Sequence, residues 1–128
     1  MASRPMAWRL TKEAERDLSE IARYTVATFG PQQAMRYAYL IERAFEMLSE
    51  APLRPASRAR DELAPAVRSL HLAQASVRRH GASHVIYYQP AAETPHGIVV
   101  LRVLHESMEP KSRLVDAKRR DQQTGQDP

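Results

Sequence analysis

Residues 8–50 decide the fold, and they read WRLTKEAERDLSEIARYTVATFGPQQAMRYAYLIERAFEMLSE. Alternating apolar residues predict a short strand over residues 6–10. Thr11 then offers an N-cap to a helix whose acidic first turns suit the helix dipole. Gly30 suits the left-handed position that ends this helix, and Pro31 suits the first position of the next one.

Both helices carry an apolar stripe at helical spacing. In the first helix the stripe consists of Ala14, Leu18, Ile21, Thr25 and Phe29. In the second helix it consists of Ala34, Tyr37 or Ala38, Ile41, Phe45 and Leu48. Such stripes are typical of helices that bury one face, so the two helices are predicted to form an antiparallel hairpin.

The second half of the chain has the composition of strands. After a proline-containing loop, three β-rich runs occupy residues 67–72, 84–89 and 98–105. The predicted fold is α+β: an N-terminal strand, an antiparallel helical hairpin and a three-stranded antiparallel meander. We expect the hairpin to cover one face of a four-stranded sheet and to leave the other face open. The predicted core includes Leu18, Ile21, Ile41, Phe45, Leu48, Val85, Leu101 and Val103.

The chain is predicted to be a single domain over residues 1–110. A basic C-terminal segment follows at 111–128, with a short helix over 112–120 and a frayed tail. The chain has 128 residues, no cysteine, no apolar run long enough for a membrane span and no signal-peptide pattern near its start. We therefore expect a cytoplasmic protein.

Positive charge is concentrated in the second half of the chain. The formal net charge is +4, and residues 65–120 carry nine basic residues against four acidic ones. Two explanations stay open: a solvated basic surface, or contact with an acidic partner, either protein or nucleic acid.

Conventional catalytic and cofactor motifs are missing from the sequence. The five histidines are scattered (His71, His80, His84, His96 and His105), and none has a carboxylate at the spacing of a zinc-binding helix. No Gly-x-Ser-x-Gly elbow and no glycine-rich phosphate loop occurs. The sequence predicts no metal site and no cofactor.

Arg102 is the one charged residue inside an apolar strand, IVVLRVLH at residues 98–105. A lone charge is seldom buried without a partner. Two interpretations follow: a core carboxylate neutralises the guanidinium, or the guanidinium contacts an anion from the open face, alongside Arg68 or His105.

Five stretches in this order resemble the ParE-type toxins of the RelE/ParE superfamily. They are LTKEAERDLSEIARYT at residues 10–25, FGPQQAMRY at 29–37, VRSL at 67–70, HVIYY at 84–88 and LRVLHE at 101–106. The similarity is colinear over about four-fifths of the chain. It does not include the tail after Pro110, and the length of residues 72–81 is not accounted for.

The resemblance implies a toxin of a type II toxin–antitoxin system that inhibits DNA gyrase by binding and is neutralised by a ParD-like antitoxin. DNA contact would come only through the antitoxin, because the chain has no DNA-binding motif of its own. The alternative is a ribosome-dependent mRNA endoribonuclease of RelE type, with Arg102 as the cation and His105 as the base. Such nucleases often carry a late aromatic residue, whereas this sequence has no tyrosine after Tyr88. A non-catalytic toxin is therefore favoured.

The resemblance and the charge pattern together give two candidate surfaces. The predicted target-binding residues are Arg68, Arg102, His105, Lys111 and Arg113. The predicted antitoxin-binding residues are Tyr24, Phe29, Tyr37 and Tyr39, since aromatic residues supply much interface energy. The alternative for each aromatic residue is a place in the core.

Overall fold

The structure is a computed structural model that describes residues 8–76, 81–91 and 97–114. Its elements are β1 (Trp8–Leu10), α1 (Lys12–Phe29), α2 (Pro31–Glu50), β2 (Arg58–Ala59), β3 (Arg68–His71), β4 (His84–Pro90) and β5 (Ile98–His105). A short 3₁₀ helix, Leu72–Ala75, follows β3, and residues 110–114 are helical. Residues 6–7 of the predicted first strand and residues 115–120 of the predicted C-terminal helix lie outside the described residues.

The five strands form one sheet in the order β1-β5-β4-β3-β2. The strands β2 to β5 pair in antiparallel fashion, whereas β1 runs parallel to β5. The predicted α+β class with its hairpin and meander is confirmed. The prediction of four strands was wrong, because the loop after α2 contributes β2, which pairs with β3 over two residues.

Local sequence fixes both ends of the helical hairpin. The Thr11 hydroxyl accepts a hydrogen bond from the Ala14 N–H at 3.0 Å and so caps α1, as predicted. Gly30 has φ 92° and ψ 167°, and Pro31 follows it as the first residue of α2. The positive φ agrees with the prediction, but ψ is extended instead of left-handed helical.

The main core lies between the hairpin and one face of the sheet. Of the eight predicted core residues, Leu18 and Val85 are half-buried and the other six are buried. Phe29, which was assigned to the apolar stripe of α1, is exposed. The large residues buried beneath the hairpin are Ile41, Phe45, Leu48, Leu70, Leu72, Ile86, Tyr88, Ile98, Val100 and Val103. Burial of each is worth on the order of 1.5–3 kcal/mol.

The second face of the sheet is covered, so the prediction of an open face was wrong. A separate buried cluster forms there from Val67, Tyr87, Leu101, Leu104 and Leu114, with Leu63 and Ala64 packed against it. Its cover comes from the loop before β3 and from the helical turn after β5. Leu114 lies beyond the predicted domain boundary at residue 110, yet its side chain is buried in this cluster.

No helix in the described ranges is long and apolar enough to cross a membrane.

Candidate functional site

Arg102 forms a bidentate ion pair with Asp17 of α1. Its Nε and Nη2 each donate to a carboxylate oxygen of Asp17 at 2.7 Å. The two side chains are 17% and 8% exposed, respectively. The hydrogen bonds to Asp17 raise the pKa of Arg102 above its ordinary value. Of the two interpretations of this residue, the structure shows the carboxylate partner.

The first turns of α1 bind the edge of β5 where β1 ends. Thr11 N–H donates to the Val100 carbonyl at 3.1 Å, and its hydroxyl donates to the Leu101 carbonyl at 2.8 Å. Asp17 Oδ2 accepts from the Val103 N–H at 3.0 Å. The Asp17 carboxylate thus accepts hydrogen bonds from both the backbone of β5 and the Arg102 guanidinium. Arg102 therefore has a structural role, because its ion pair holds α1 against β5.

A cluster of His84, His105 and Tyr37 lies where β4 and β5 meet the hairpin. Register places His84 opposite His105, with the two ring centroids 5.5 Å apart. The Tyr37 hydroxyl lies 2.6 Å from His84 Nδ1 and accepts from the Ser83 N–H at 3.2 Å. The hydroxyl hydrogen is thus available to His84 Nδ1 in the tautomer that leaves this nitrogen unprotonated.

Burial sets the electrostatics of this cluster. Burial first, and the neighbouring His105 second, lower the pKa of His84 to about 4. Burial also raises the pKa of Tyr37. Both side chains are therefore neutral at physiological pH, and the cluster contributes no cation from His84.

Two further histidine contacts lie at the same end of the sheet. His71 Nδ1 accepts from the Ala73 N–H at 3.1 Å, so Nε2 carries the hydrogen and donates to Glu106 at 2.6 Å. This contact lowers the pKa of Glu106. His105 Nδ1 accepts from the Ser107 N–H at 3.1 Å. Across the described part of the chain, no group of three or more histidine and carboxylate side chains is placed to hold a metal ion.

The predicted target-binding residues do not form one patch. Arg68 donates through Nε to the Ser57 hydroxyl at 2.9 Å and through Nη2 to its carbonyl at 3.1 Å. Arg68 pairs with Tyr88 in the sheet and Arg102 with the adjacent Tyr87, so the two arginines point toward opposite faces.

The residues after β5 lie closer to Arg102. The Arg113 carbonyl accepts from Arg102 Nη1 at 3.4 Å, while the Arg113 guanidinium donates to the Glu109 carbonyl at 3.3 Å. Lys111 is exposed, and its backbone N–H donates to the Glu109 carboxylate. Arg102 and Arg113 are thus in contact, but the guanidinium of each is already bonded within the chain.

Three of the four predicted antitoxin-binding aromatics are on the surface. Tyr24, Phe29 and Tyr39 are 64%, 63% and 70% exposed. The Tyr24 and Phe29 rings contact each other edge to face near the hairpin turn, at a centroid distance of 6.5 Å. Tyr37 is only 9% exposed and is hydrogen-bonded to His84, so it is a core residue, which was the alternative considered for each of these aromatics.

An apolar groove of about 310 Å³ runs between α1, α2 and β1. We call it the hairpin groove. Its apolar lining comes mainly from Trp8, Leu10, Leu18, Ile21, Ala34, Ala38, Ile41 and Phe45. In the described structure β1 pairs with β5 alone, so its outer edge adjoins the groove without a partner strand. The resemblance implied an antitoxin segment along the apolar side of the hairpin and the sheet edge, but no residue of β1 was named among the predicted binding residues.

Comparison with known proteins defines the class. The sequence model described as "ParE toxin of type II toxin-antitoxin system, parDE" matches residues 8–110. The protein is therefore a toxin of a type II toxin–antitoxin system. Within that class, the chain belongs to the ParE toxin family.

Individual relatives agree with this assignment. Toxin ParE of Escherichia coli is 34% identical over 112 residues, covering 86% of this chain and 94% of that protein. Toxin ParE1 of Caulobacter vibrioides is 29% identical over 107 residues, covering 84% and 96%. A solved structure titled "Chromosomal ParDE TA system from P. aeruginosa" has a TM-score of 0.58 at 21% identity, covering 78% of this chain and 95% of that one. That likeness confirms the fold.

Proposed function

We propose that this ParE toxin inhibits DNA gyrase by protein–protein contact, without catalysis, and that a ParD-like antitoxin neutralises it in the cytoplasm. The observation that carries the proposal is the ion pair between Arg102 and Asp17 at 2.7 Å. A nuclease needs a free cation on the scissile phosphate, together with a base and an acid. Here the arginine of the last strand is already neutralised by a carboxylate.

The surroundings of His105 also support a non-catalytic role. Glu106 lies next to it and accepts a hydrogen bond from His71, so a negative charge stands where RNA phosphate would have to approach. Like charges in proximity are unfavourable, and this one would oppose binding of a polyanion.

The hairpin groove supports the antitoxin part of the proposal. It combines an apolar floor with a β1 edge that has no partner strand among the described residues, and Tyr24 and Phe29 are exposed on α1, one of the helices that line it. Peptide segments are commonly recognised by grooves and strand edges of this kind. In this account the antitoxin covers the hairpin, and any DNA contact of the complex comes through the antitoxin.

Replacing the two hairpin aromatics tests this surface. We expect Tyr24→Ala with Phe29→Ala to weaken antitoxin binding at least about tenfold, because large aromatic side chains carry much of an interface's energy. Leu53→Ala is the matched control, since Leu53 is 68% exposed and lies outside the hairpin. If the two variants bind the antitoxin with equal affinity in a titration, Tyr24 and Phe29 are not part of the interface.

The endoribonuclease remains the second candidate, because His84 and His105 face each other at 5.5 Å between ring centroids. Such a pair could divide acid and base roles. Induction of the toxin in cells separates the two candidates. Gyrase inhibition predicts a DNA-damage response with filamentation, whereas message cleavage predicts rapid arrest of translation and cut transcripts.

A further inference from the structure

A second groove lies on the opposite side of α2 from the hairpin groove. It has a volume of about 660 Å³ and runs between α2, the 3₁₀ helix after β3 and residues 81–82. We call it the α2 groove. Its lining includes Arg36, Tyr39, Arg43, Met47, Ala75 and Ala82. Neither the charge pattern nor the predicted aromatic anchors of the sequence pointed to it as a separate surface.

The two arginines of the α2 groove are available to a partner. Arg36 and Arg43 are both exposed, and neither forms a hydrogen bond or an ion pair with the described residues. They are seven residues apart on one helix, so they lie on the same face, about 10 Å apart along the axis. Two cations whose backbone positions have this spacing match two carboxylates that lie two helical turns apart.

Apolar surface lies between and beside these cations. Tyr39 is 70% exposed, and the half-buried Leu40 and Met47 also line the groove. An occupant therefore needs both apolar and acidic side chains. An amphipathic helix with acidic residues along the border of its apolar stripe meets this requirement.

We propose that the α2 groove is a docking site for an acidic amphipathic helix of the antitoxin, separate from the hairpin groove. The inference rests on the proposed neutralisation by an antitoxin and adds the chemistry of one recognised segment. Carboxylates pair with Arg36 and Arg43, and apolar side chains pack on Tyr39 and Met47.

Nucleic acid fits this groove less well than an acidic peptide does. Helix α2 carries Glu42, Glu46 and Glu50 in addition to its two arginines, so its formal charge is negative. Phosphate backbones are bound by several cations acting together. Two arginines on a helix with three carboxylates suit discrete carboxylate partners.

The protein's own C-terminal segment is also a poor occupant. Leu114, the last described residue, packs on the face of the sheet opposite to the hairpin. The sequence that follows carries Lys118, Arg119 and Arg120 against three aspartates, so it has no net negative charge to complement Arg36 and Arg43. A net acidic segment on another chain is therefore the better electrostatic match.

A peptide titration tests the proposal. The probe is a synthetic helical peptide with two glutamates two turns apart beside a leucine stripe, and its binding is followed by fluorescence anisotropy. The Arg36→Glu with Arg43→Glu variant should bind it at least about tenfold more weakly than wild type, because two attractive contacts become repulsive. Arg16→Glu with Arg23→Glu is the matched control, an exposed pair of arginines with the same spacing on α1.

Two results would overturn the proposal. The first is equal binding of the probe by the α2 variant and the α1 control. The second is loss of gyrase inhibition in the α2 variant while the α1 control still inhibits, since the groove would then belong to the target surface. Failure of wild type to inhibit gyrase would instead contradict the proposed function, and the peptide result would stand independently.

Discussion

The Asp17 side chain stabilises the fold in two ways, by pairing with a guanidinium and by accepting a hydrogen bond from a strand N–H. Its carboxylate accepts two hydrogen bonds from Arg102 and one from the Val103 N–H. In the sequence, Asp17 is one of several acidic residues that suit the start of a helix. Its partner is 85 residues away, so helical periodicity carries no information about the pairing.

We expect Asp17→Ala to lower the free energy of unfolding by about 2–4 kcal/mol, because it leaves a largely buried guanidinium and a strand N–H without partners. Chemical denaturation measures the change. Glu20→Ala is the control, since Glu20 is an exposed carboxylate on the same helix. Equal denaturation midpoints for the two variants would show that the pair contributes nothing to stability.

A double variant separates the structural role of Arg102 from its predicted contact with the target. Asp17→Leu with Arg102→Met replaces the ion pair by apolar side chains of similar size, so no unpaired charge is left behind and the remaining cost is the Val103 N–H that loses its acceptor. If the guanidinium also contacts the target, the folded double variant should lose toxicity. Full toxicity would restrict Arg102 to its structural role.

His84 should make the fold sensitive to acid. Its pKa in the folded protein is about 4, below the ordinary 6.5, so between these values the unfolded chain binds a proton that the folded one does not. Stability is therefore present above pH 6.5 and is lost as the pH falls toward 4. After allowance for partial exposure, the loss should be about 1–2 kcal/mol.

His84→Asn isolates this contribution, because an asparagine amide can accept the Tyr37 hydrogen bond without titrating. His105, Glu106, His71 and Asp17 act electrostatically on His84 and remain in both proteins. Between pH 6.5 and 4, wild type should lose about 1–2 kcal/mol more of its free energy of unfolding than the variant does. Parallel pH profiles would show that His84 is not the acid-sensitive group.

At the scale of elements, the helices were predictable and the smallest strand was not. Apolar spacing, the Thr11 cap and Pro31 each act locally, so sequence alone located α1 and α2. The strand β2 consists of two exposed residues that are extended only because Arg68 and Ser69 pair with them. Nothing in its own sequence distinguishes it from the surrounding loop.

The hairpin turn depends on Gly30. With φ 92° and ψ 167° it occupies a region that residues with a side chain rarely adopt, although no atom lies within 4 Å of an added Cβ. We expect Gly30→Ala to cost about 1–3 kcal/mol through backbone strain alone. Thermal unfolding measures the effect, with the exposed Gln32→Ala as the control. An unchanged melting temperature would mean that the turn relaxes without cost.

At the scale of the molecule, the sheet has two covered faces instead of one. The larger core beneath the hairpin was predicted, since its residues follow helical and strand periods. The smaller core depends on Leu63, Val67 and Leu114, which lie in irregular segments or a short helical turn. Their burial follows from tertiary packing, and in the described part of the chain it covers the face that was expected to be open.

The predicted binding residues likewise fall into two groups, those that are exposed and those that form contacts inside the protein. Exposed Tyr24, Phe29 and Tyr39 were predicted as anchors, and their exposure is compatible with that role. Tyr37 and Arg102 were nominated as binding residues but form internal contacts with His84 and Asp17. Residue type alone could not separate these cases, because partners distant in sequence decide which side chains remain free.

A supercoiling assay with purified proteins tests whether this ParE toxin acts on gyrase by binding. We predict that the wild-type protein blocks supercoiling and leaves ribosome-bound message intact. His105→Ala should weaken the block only modestly, because no general base is required. The contrary result is unimpaired supercoiling together with message cleavage that falls about 10²–10⁴-fold in His105→Ala, the usual contribution of a general acid or base.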